Sequence, residues 1–400
     1  MTMKYQTDHI LVPASEFRPG DVDRLNQVLA DAALGRPLRD PGVSSATASQ
    51  CGLIRIPVDG ADPVAIRDAV QAHVQPGGGD GLPTIIADNN ATAGTTDEGT
   101  FFAAGKKSGH GVAAWLPAPQ DEMPPGPSWS PSGDPPVIAL LDSGVHPHPW
   151  LSATGGLPFV IDAAALDQGW HSPVPEDQPD KQPYPPGSHW GHGTFIAGLI
   201  RQAAPGAKIL SMRVMDSAGQ VADCAVACAL NWLADHAHDH PVDIVLMAFG
   251  RRRESPQDDG LDHVRKAISR VAAVPGLKIV VSAGNDGSTE PVYPAAFAID
   301  NDLSSSMVSV GSRLSDSEWA PYSNRGPWVL EARNGTNTIS TLPQTFLQAG
   351  QFQVSQPPIT NIHDMFLAPN GYAWWSGTSF AAAIYAGQLA AARPGGQGLP

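Results

Sequence analysis

From Val137 onward the chain alternates short apolar runs with helical patterns, and this alternation limits the fold more than any other feature. The runs Val137–Leu141, Lys208–Val214, Asp243–Phe249, Lys278–Ser282 and Met307–Gly311 are almost continuously apolar. Strands read that way when a parallel sheet buries both of their faces. Between them, Phe195–Arg201, Ala222–His236 and Leu261–Val274 carry helical spacing. The alternation predicts an α/β domain, a mostly parallel sheet covered by helices on both faces. Eighteen consecutive apolar residues occur nowhere, so no transmembrane helix and no membrane partner are expected.

The first 116 residues read as a separate, small α/β unit. His9–Pro13 and Leu53–Val58 are short strands and Pro83–Ala87 is a third. Asp21–Leu34 places Val22, Leu25, Val28 and Leu29 on one stripe of a helix. A second helix spans Asp62–Val74, with Asp62 at the N-cap position and Pro63 at the first helical position. No catalytic motif is found there. Residues 117–136 hold eight prolines, which removes backbone donors and fixes φ, so this stretch is expected to be a semi-rigid linker. The main domain then covers 137–400, interrupted by a proline-rich surface loop at 171–188.

Charge and cysteine content exclude several classes. The net charge of −15 is opposite in sign to that of a non-specific nucleic-acid binder. Three cysteines cannot build a disulfide framework. Cys224 and Cys228, four apart in a helical run, read as small buried apolar side chains. The first residues, MTMKYQTDHILVPASEF, lack an apolar stretch behind a basic start, so a cytoplasmic location is expected.

Three local motifs carry candidate chemistry. Leu140-Leu141-Asp142-Ser143-Gly144 sets an Asp at the end of a buried strand, where sites form in open α/β sheets. Gly191-His192-Gly193-Thr194 presents a His at the start of an apolar helix. Ser376-Gly377-Thr378-Ser379 places a Ser in the first turn of an Ala-rich helix, where free N–H groups and the positive dipole end suit a nucleophile whose attack creates an oxyanion. Taken singly, each also reads as a cap or turn.

In the order Asp, His, Ser the three together resemble the subtilases, the subtilisin-like serine proteases. Connecting segments share the likeness: Ala207–Val214, Ala222–Ala234, Asp243–Gly250, Ser282-Ala283-Gly284-Asn285 and Tyr293-Pro294-Ala295. The resemblance covers roughly residues 137–393. It implies Ser379 as nucleophile, His192 as general base and acid, and Asp142 as the group that orients His192. Asn285 is implied as oxyanion donor beside the Ser379 N–H. Ala248, Phe249, Gly250, Ala283, Gly284 and Asp286 are implied to line the substrate groove, with Asp286 near the pocket for the residue before the scissile bond. The partner would be a peptide or protein, cleaved through an acyl-enzyme. A peptide cyclase using the same triad is the alternative, and a silent binding module a third. No cofactor is implied.

Four departures qualify the resemblance. Ala383 stands where the family usually has Pro. The short Leu199–Ala207 segment implies loss of a calcium loop, so no metal site is expected. About thirty residues, 345–374, are inserted ahead of Ser379 and could wall or lid the groove. Little chain follows the nucleophile. His236, His238 and His240 share no common helix face and are not expected to hold a metal. Arg251-Arg252-Arg253 would suit acidic substrate residues. The pattern of residues 1–116 loosely resembles the propeptides of many subtilases, which implies intramolecular inhibition by the N-terminal domain; an unrelated accessory or partner-binding domain is the equal alternative.

Overall fold

The computed structural model describes residues 9–39, 53–73, 82–83, 85, 90–92, 116–117, 134–152, 158–166, 170, 172, 174, 189, 191–216, 219–253, 258–343 and 371–393. Most of the expected linker, the 171–188 loop, the 345–374 insertion and the Pro83–Ala87 strand lie outside them. In chain order the elements are β1 (His9–Pro13), α1 (Asp21–Asp31), β2 (Leu53–Pro57), α2 (Pro63–His73), β3 (Asn90–Thr92), β4 (Leu116–Pro117), β5 (Val137–Asp142), β6 (Val160–Asp162), α3 (His192–Ala203), β7 (Lys208–Arg213), β8 (Gln220–Ala222) and α4 (Asp223–Asp235). They continue with β9 (Ile244–Met247), α5 (Asp259–Ala272), β10 (Lys278–Ser282), β11 (Met307–Ser315), β12 (Glu318–Trp319), β13 (Glu331–Asn334), β14 (Thr338–Thr341), β15 (Tyr372–Trp375) and α6 (Thr378–Ala391).

The chain divides into two compact units. The first contains Met1–Ala91 together with Ala222–Asp235 and Arg253–Val271. In it β1 and β2 pair antiparallel, Ile10 opposite Ile56. The stripe read on α1 buries Leu25, Val28 and Leu29 against Ile10, Ile56, Ile66 and Ile85. Asp62 caps α2, its Oδ1 accepting from Val64 N at 2.9 Å. Gln71 of α2 donates to Asp259 of α5 at 3.1 Å, and Arg270 of α5 donates to Asn231 of α4 at 2.6 Å. Cys228 is disulfide-bonded, which its reading as a simple buried thiol did not anticipate; Cys224 is a buried thiol.

The second unit is built on an eight-stranded sheet ordered β12-β11-β10-β9-β5-β7-β6, with β13 also beside β11. Every pairing in it is parallel except the β11–β12 hairpin. β5 is central: Leu140 faces Ser211 of β7 on one side and Leu246 of β9 on the other. The chain first goes from β5 out to the edge strand β6, returns to β7 beside β5, then crosses to β9, β10 and β11. That reversal opens a crevice at the carboxyl ends of β5 and β9. Helices α3 and α6 pack on each other and share one core with the sheet, including Phe195, Ile196, Ile200, Leu246, Val280, Phe380 and Ala386. The alanines of α6 explain this close approach, because small side chains let backbones come near. Among the described residues no helix is long and apolar enough to cross a membrane.

Candidate active site

Asp142 ends β5, and its carboxylate is fully buried. Ser143 N donates to its Oδ1 at 2.8 Å. The other partner is His192, whose Nδ1 lies 2.9 Å from Oδ1 and 3.0 Å from Oδ2. A carboxylate accepts here, so Nδ1 carries the proton, and a neutral ring then offers its lone pair at Nε2. The glycine after His192 is what lets α3 begin there. A Cβ on Gly193 would collide with the carbonyl of Gly144 and crowd Asp142 Oδ1 at 3.1 Å.

Ser379 sits in the first turn of α6, buried like His192. Among the described residues its hydroxyl has one hydrogen-bond partner, the carbonyl of Ala248 just beyond β9, at 3.1 Å. The preceding residue organises the neighbouring loop. Thr378 N and Thr378 Oγ1 both donate to Asn285 Oδ1 at 2.9 Å, and Thr378 Oγ1 accepts from Gly284 N at 3.0 Å. Two donors on Oδ1 settle the orientation of the amide. The Asn285 NH2 therefore points away from Thr378; a Cβ built on Gly377 would lie 3.7 Å from Nδ2. Asp142 and His192 thus form one bonded pair and Thr378 and Asn285 another, and the rings of His192 and Phe380, the residue after Ser379, stand 5.5 Å apart.

Of the other expected groove residues, two have bonds to the Thr378-Ser379 segment. Ala248 touches Ser379 and Gly284 touches Thr378. Ala248, Phe249 and Ala283 are buried, while Gly250, Gly284 and Asp286 are partly exposed. The Asp286 carboxylate accepts from Asn324 Nδ2 at 3.1 Å. Arg251 N and Tyr293 O bond at 2.8 Å, Arg252 pairs with Glu290, and Arg253 pairs with Asp262 at 3.0 Å. Arg252 and Arg253 are thus answered by carboxylates of the chain itself. His236 and His240 stack at 6.5 Å, and His238 bonds Asp239 at 3.1 Å. Among the described residues no three His, Cys, Asp or Glu side chains are placed to hold one metal ion.

Sequence reasoning passed over several residues that the structure brings here. Trp375, at the end of β15, meets His192 edge-on with ring centroids 5.4 Å apart. Phe380 and His189 flank the same imidazole at 5.5 and 5.7 Å. The aromatic doublet Trp374-Trp375 immediately ahead of Ser376-Gly377-Thr378-Ser379 was the available signal. Asn324, buried and bonded to Ala283, Asp286 and Ser288 around Asn285, had none beyond its place in a Tyr-Ser-Asn turn.

The chain matches the Subtilase family model over residues 133–395. It is 29% identical over 223 residues to the minor extracellular protease Epr of Bacillus subtilis (strain 168), a stretch that covers 53% of this chain and 29% of that protein. It is 26% identical over 215 residues to Subtilisin BL of Lederbergia lenta, covering 52% of this chain and 66% of that protein. The chain thus spans less than two thirds of the length of either curated relative. Among solved structures, fervidolysin from Fervidobacterium pennivorans, described as a keratinolytic enzyme related to subtilisin, superposes with a TM-score of 0.54 at 19% identity, over 96% of this chain and 54% of that one. At that identity the likeness speaks for the fold. The family match, in contrast, runs through Asp142, His192, Asn285 and Ser379 alike, and by it this chain belongs to the subtilase family.

Proposed function

We propose that the chain is a serine endopeptidase that cleaves peptide bonds through an acyl-enzyme. The observation that carries this reading is the His192–Asp142 pair. A buried carboxylate holds Nδ1–H at 2.9 and 3.0 Å, which commits Nε2 to act as the base. Rotation about the Cα–Cβ bond of Ser379 releases its hydroxyl from Ala248 to His192. The Ser379 oxygen then attacks the substrate carbonyl carbon, and His192 takes the hydroxyl proton. His192 next gives that proton to the leaving amine as the C–N bond breaks. Water repeats the sequence on the acyl-enzyme and regenerates Ser379. Asn285 Nδ2, turned away from Thr378, donates to the oxyanion. The Subtilase family match and the protease relatives support the same assignment.

The test is covalent and kinetic. A fluorophosphonate should label Ser379 in the parent chain and not in Ser379→Ala or His192→Ala. Both substitutions should lower kcat by about a million-fold, a magnitude belonging to subtilisin and carried over here. Full activity in Ser379→Ala would sink the proposal. Product mass separates hydrolysis from cyclisation, since a cyclic product is lighter by one water.

The N-terminal residues are proposed to restrain this site within the same chain. They have a hydrophobic core of their own, and a short tether would keep them at high local concentration. Limited proteolysis within 117–136 should then raise turnover on a small peptide anilide. Unchanged turnover after complete cutting counts against restraint.

A further inference from the structure

We infer that Asn324 is a positioning residue for Asn285, holding the backbone that presents the oxyanion donor. Asn324 is fully buried and lies 39 residues beyond Asn285 in the chain. Its backbone N donates to Gly284 O at 3.0 Å. Its Nδ2 donates to Ala283 O at 3.0 Å and to Asp286 Oδ2 at 3.1 Å. Its Oδ1 accepts from Asp286 N and Ser288 N, both at 3.0 Å. One side chain therefore grips the loop on both sides of Asn285 without touching Asn285 by any of these bonds.

The arrangement has a chemical logic. A buried amide costs free energy unless its donors and acceptor are satisfied. Here both N–H bonds and the carbonyl are spent on residues 283, 286 and 288. Thr378, which adjoins Ser379, orients the Asn285 amide from the other side. The oxyanion donor is thus fixed twice: its amide plane by Thr378 and its backbone by Asn324. Preorganised donors work because they need not reorganise when charge develops, and a misplacement near 1 Å can cost about 100-fold in rate. The same grip commits the Asp286 carboxylate to Asn324, and with it the side chain implied to face the substrate. This inference rests on reading Asn285 as the oxyanion donor.

The experiment is a double-mutant cycle in the full chain. Asn324→Ala, Asn285→Ala and the double variant are compared on a chromogenic peptide anilide. Asn324→Ala alone should lower kcat by roughly 10- to 100-fold and leave KM within about twofold. In the Asn285→Ala background, the same change should cost less than about twofold, because its route of action is gone. Equal losses in both backgrounds, or a loss carried by KM, would overturn the inference. A second readout needs no turnover. The Asn285 side-chain amide signals in NMR should shift or broaden in Asn324→Ala, and unmoved signals would also overturn it. If Asn324→Ala does not fold, Asn324→Asp carries both tests, since it keeps the volume and the acceptor but loses both donors. A parent chain that neither turns over nor takes the fluorophosphonate label defeats the peptidase reading, while the NMR arm still decides the positioning.

Discussion

His148 Nε2 lies 3.0 Å from the carbonyl of Gly371, a residue 223 positions later in the chain. Trp150 N donates to the opposite ring nitrogen, Nδ1, at 3.1 Å. A nitrogen that accepts an N–H carries no proton, so the ring is neutral, with its hydrogen on Nε2. Burial pushes this histidine down from 6.5 to about 4, against a smaller upward pull from the Gly371 carbonyl. The folded value lies below the unfolded one, so the contribution to stability is complete above about pH 6.5 and is lost as pH falls from there through 4. With solvent screening the amount is on the order of 2 kcal/mol. His148→Gln keeps an acceptor and a donor without the titration. Its denaturant midpoint should therefore fall less steeply than the parent's between pH 6.5 and 4. Identical slopes would show that His148 does not set this dependence.

Gly198 on α3 is where the helix crosses β14. An added Cβ would strike Ser340 Oγ and come within 2.6 Å of Thr341 Oγ1. Those hydroxyls are engaged, Ser340 with Phe195 O at 2.7 Å and Thr341 with Thr194 O at 2.8 Å. Alanine would improve helix propensity by about 1 kcal/mol, while overpacking costs about 1–3 kcal/mol and displaces a buried hydrogen bond. The second effect wins. Gly198→Ala should lower unfolding free energy by roughly 1–3 kcal/mol, and Ser340→Ala in the same chain should recover part of it. A stabilised Gly198→Ala would show that β14 yields at this contact.

Asn285→Ala should lower kcat by roughly 100- to 1000-fold with little change in KM, a magnitude that belongs to subtilisin and is carried over. The selectivity follows from when the bond forms. An oxyanion donor meets full charge only in the transition state, so ground-state binding hardly depends on it. Steady-state kinetics on one peptide anilide separates the two constants. A KM-led loss would assign Asn285 to substrate binding instead.

The parallel sheet was legible because its strands are buried on both faces and read as unbroken apolar runs. β5, β7, β9, β10 and β11 all appear within a few residues of their expected positions. Asp142, His192, Asn285 and Ser379 stood out as candidates because their flanking residues form local motifs. What stayed hidden is long-range. β14 and β15 pair antiparallel, Thr338 opposite Trp375, across about thirty intervening residues, far more than a hairpin turn holds. Asn324 and His148 act through backbone atoms far along the chain, and any residue type supplies a backbone carbonyl or N–H. Such partners leave no mark in the sequence.

Trp375 tests whether the aromatic surround of His192 is structural packing. Its ring meets His192 at 82° and Phe195 at 77°, with centroids 5.4 and 5.5 Å apart, and lies 5.2 Å from Phe380. Edge-to-face geometry sets the positive rim of one ring against the negative face of the next, which adds about 0.5–1.5 kcal/mol per pair to the area buried. Trp375 is also buried within the core shared by α3 and α6. Trp375→Ala leaves a cavity between α3 and α6 and should cost about 3–5 kcal/mol. Trp375→Phe keeps a ring and should cost less, because part of the cavity stays filled. Calorimetry and denaturant titration on the two variants check the order. Losses below about 1 kcal/mol for Trp375→Ala would show that β15 can leave His192 without disturbing the core, and the packing account would fail.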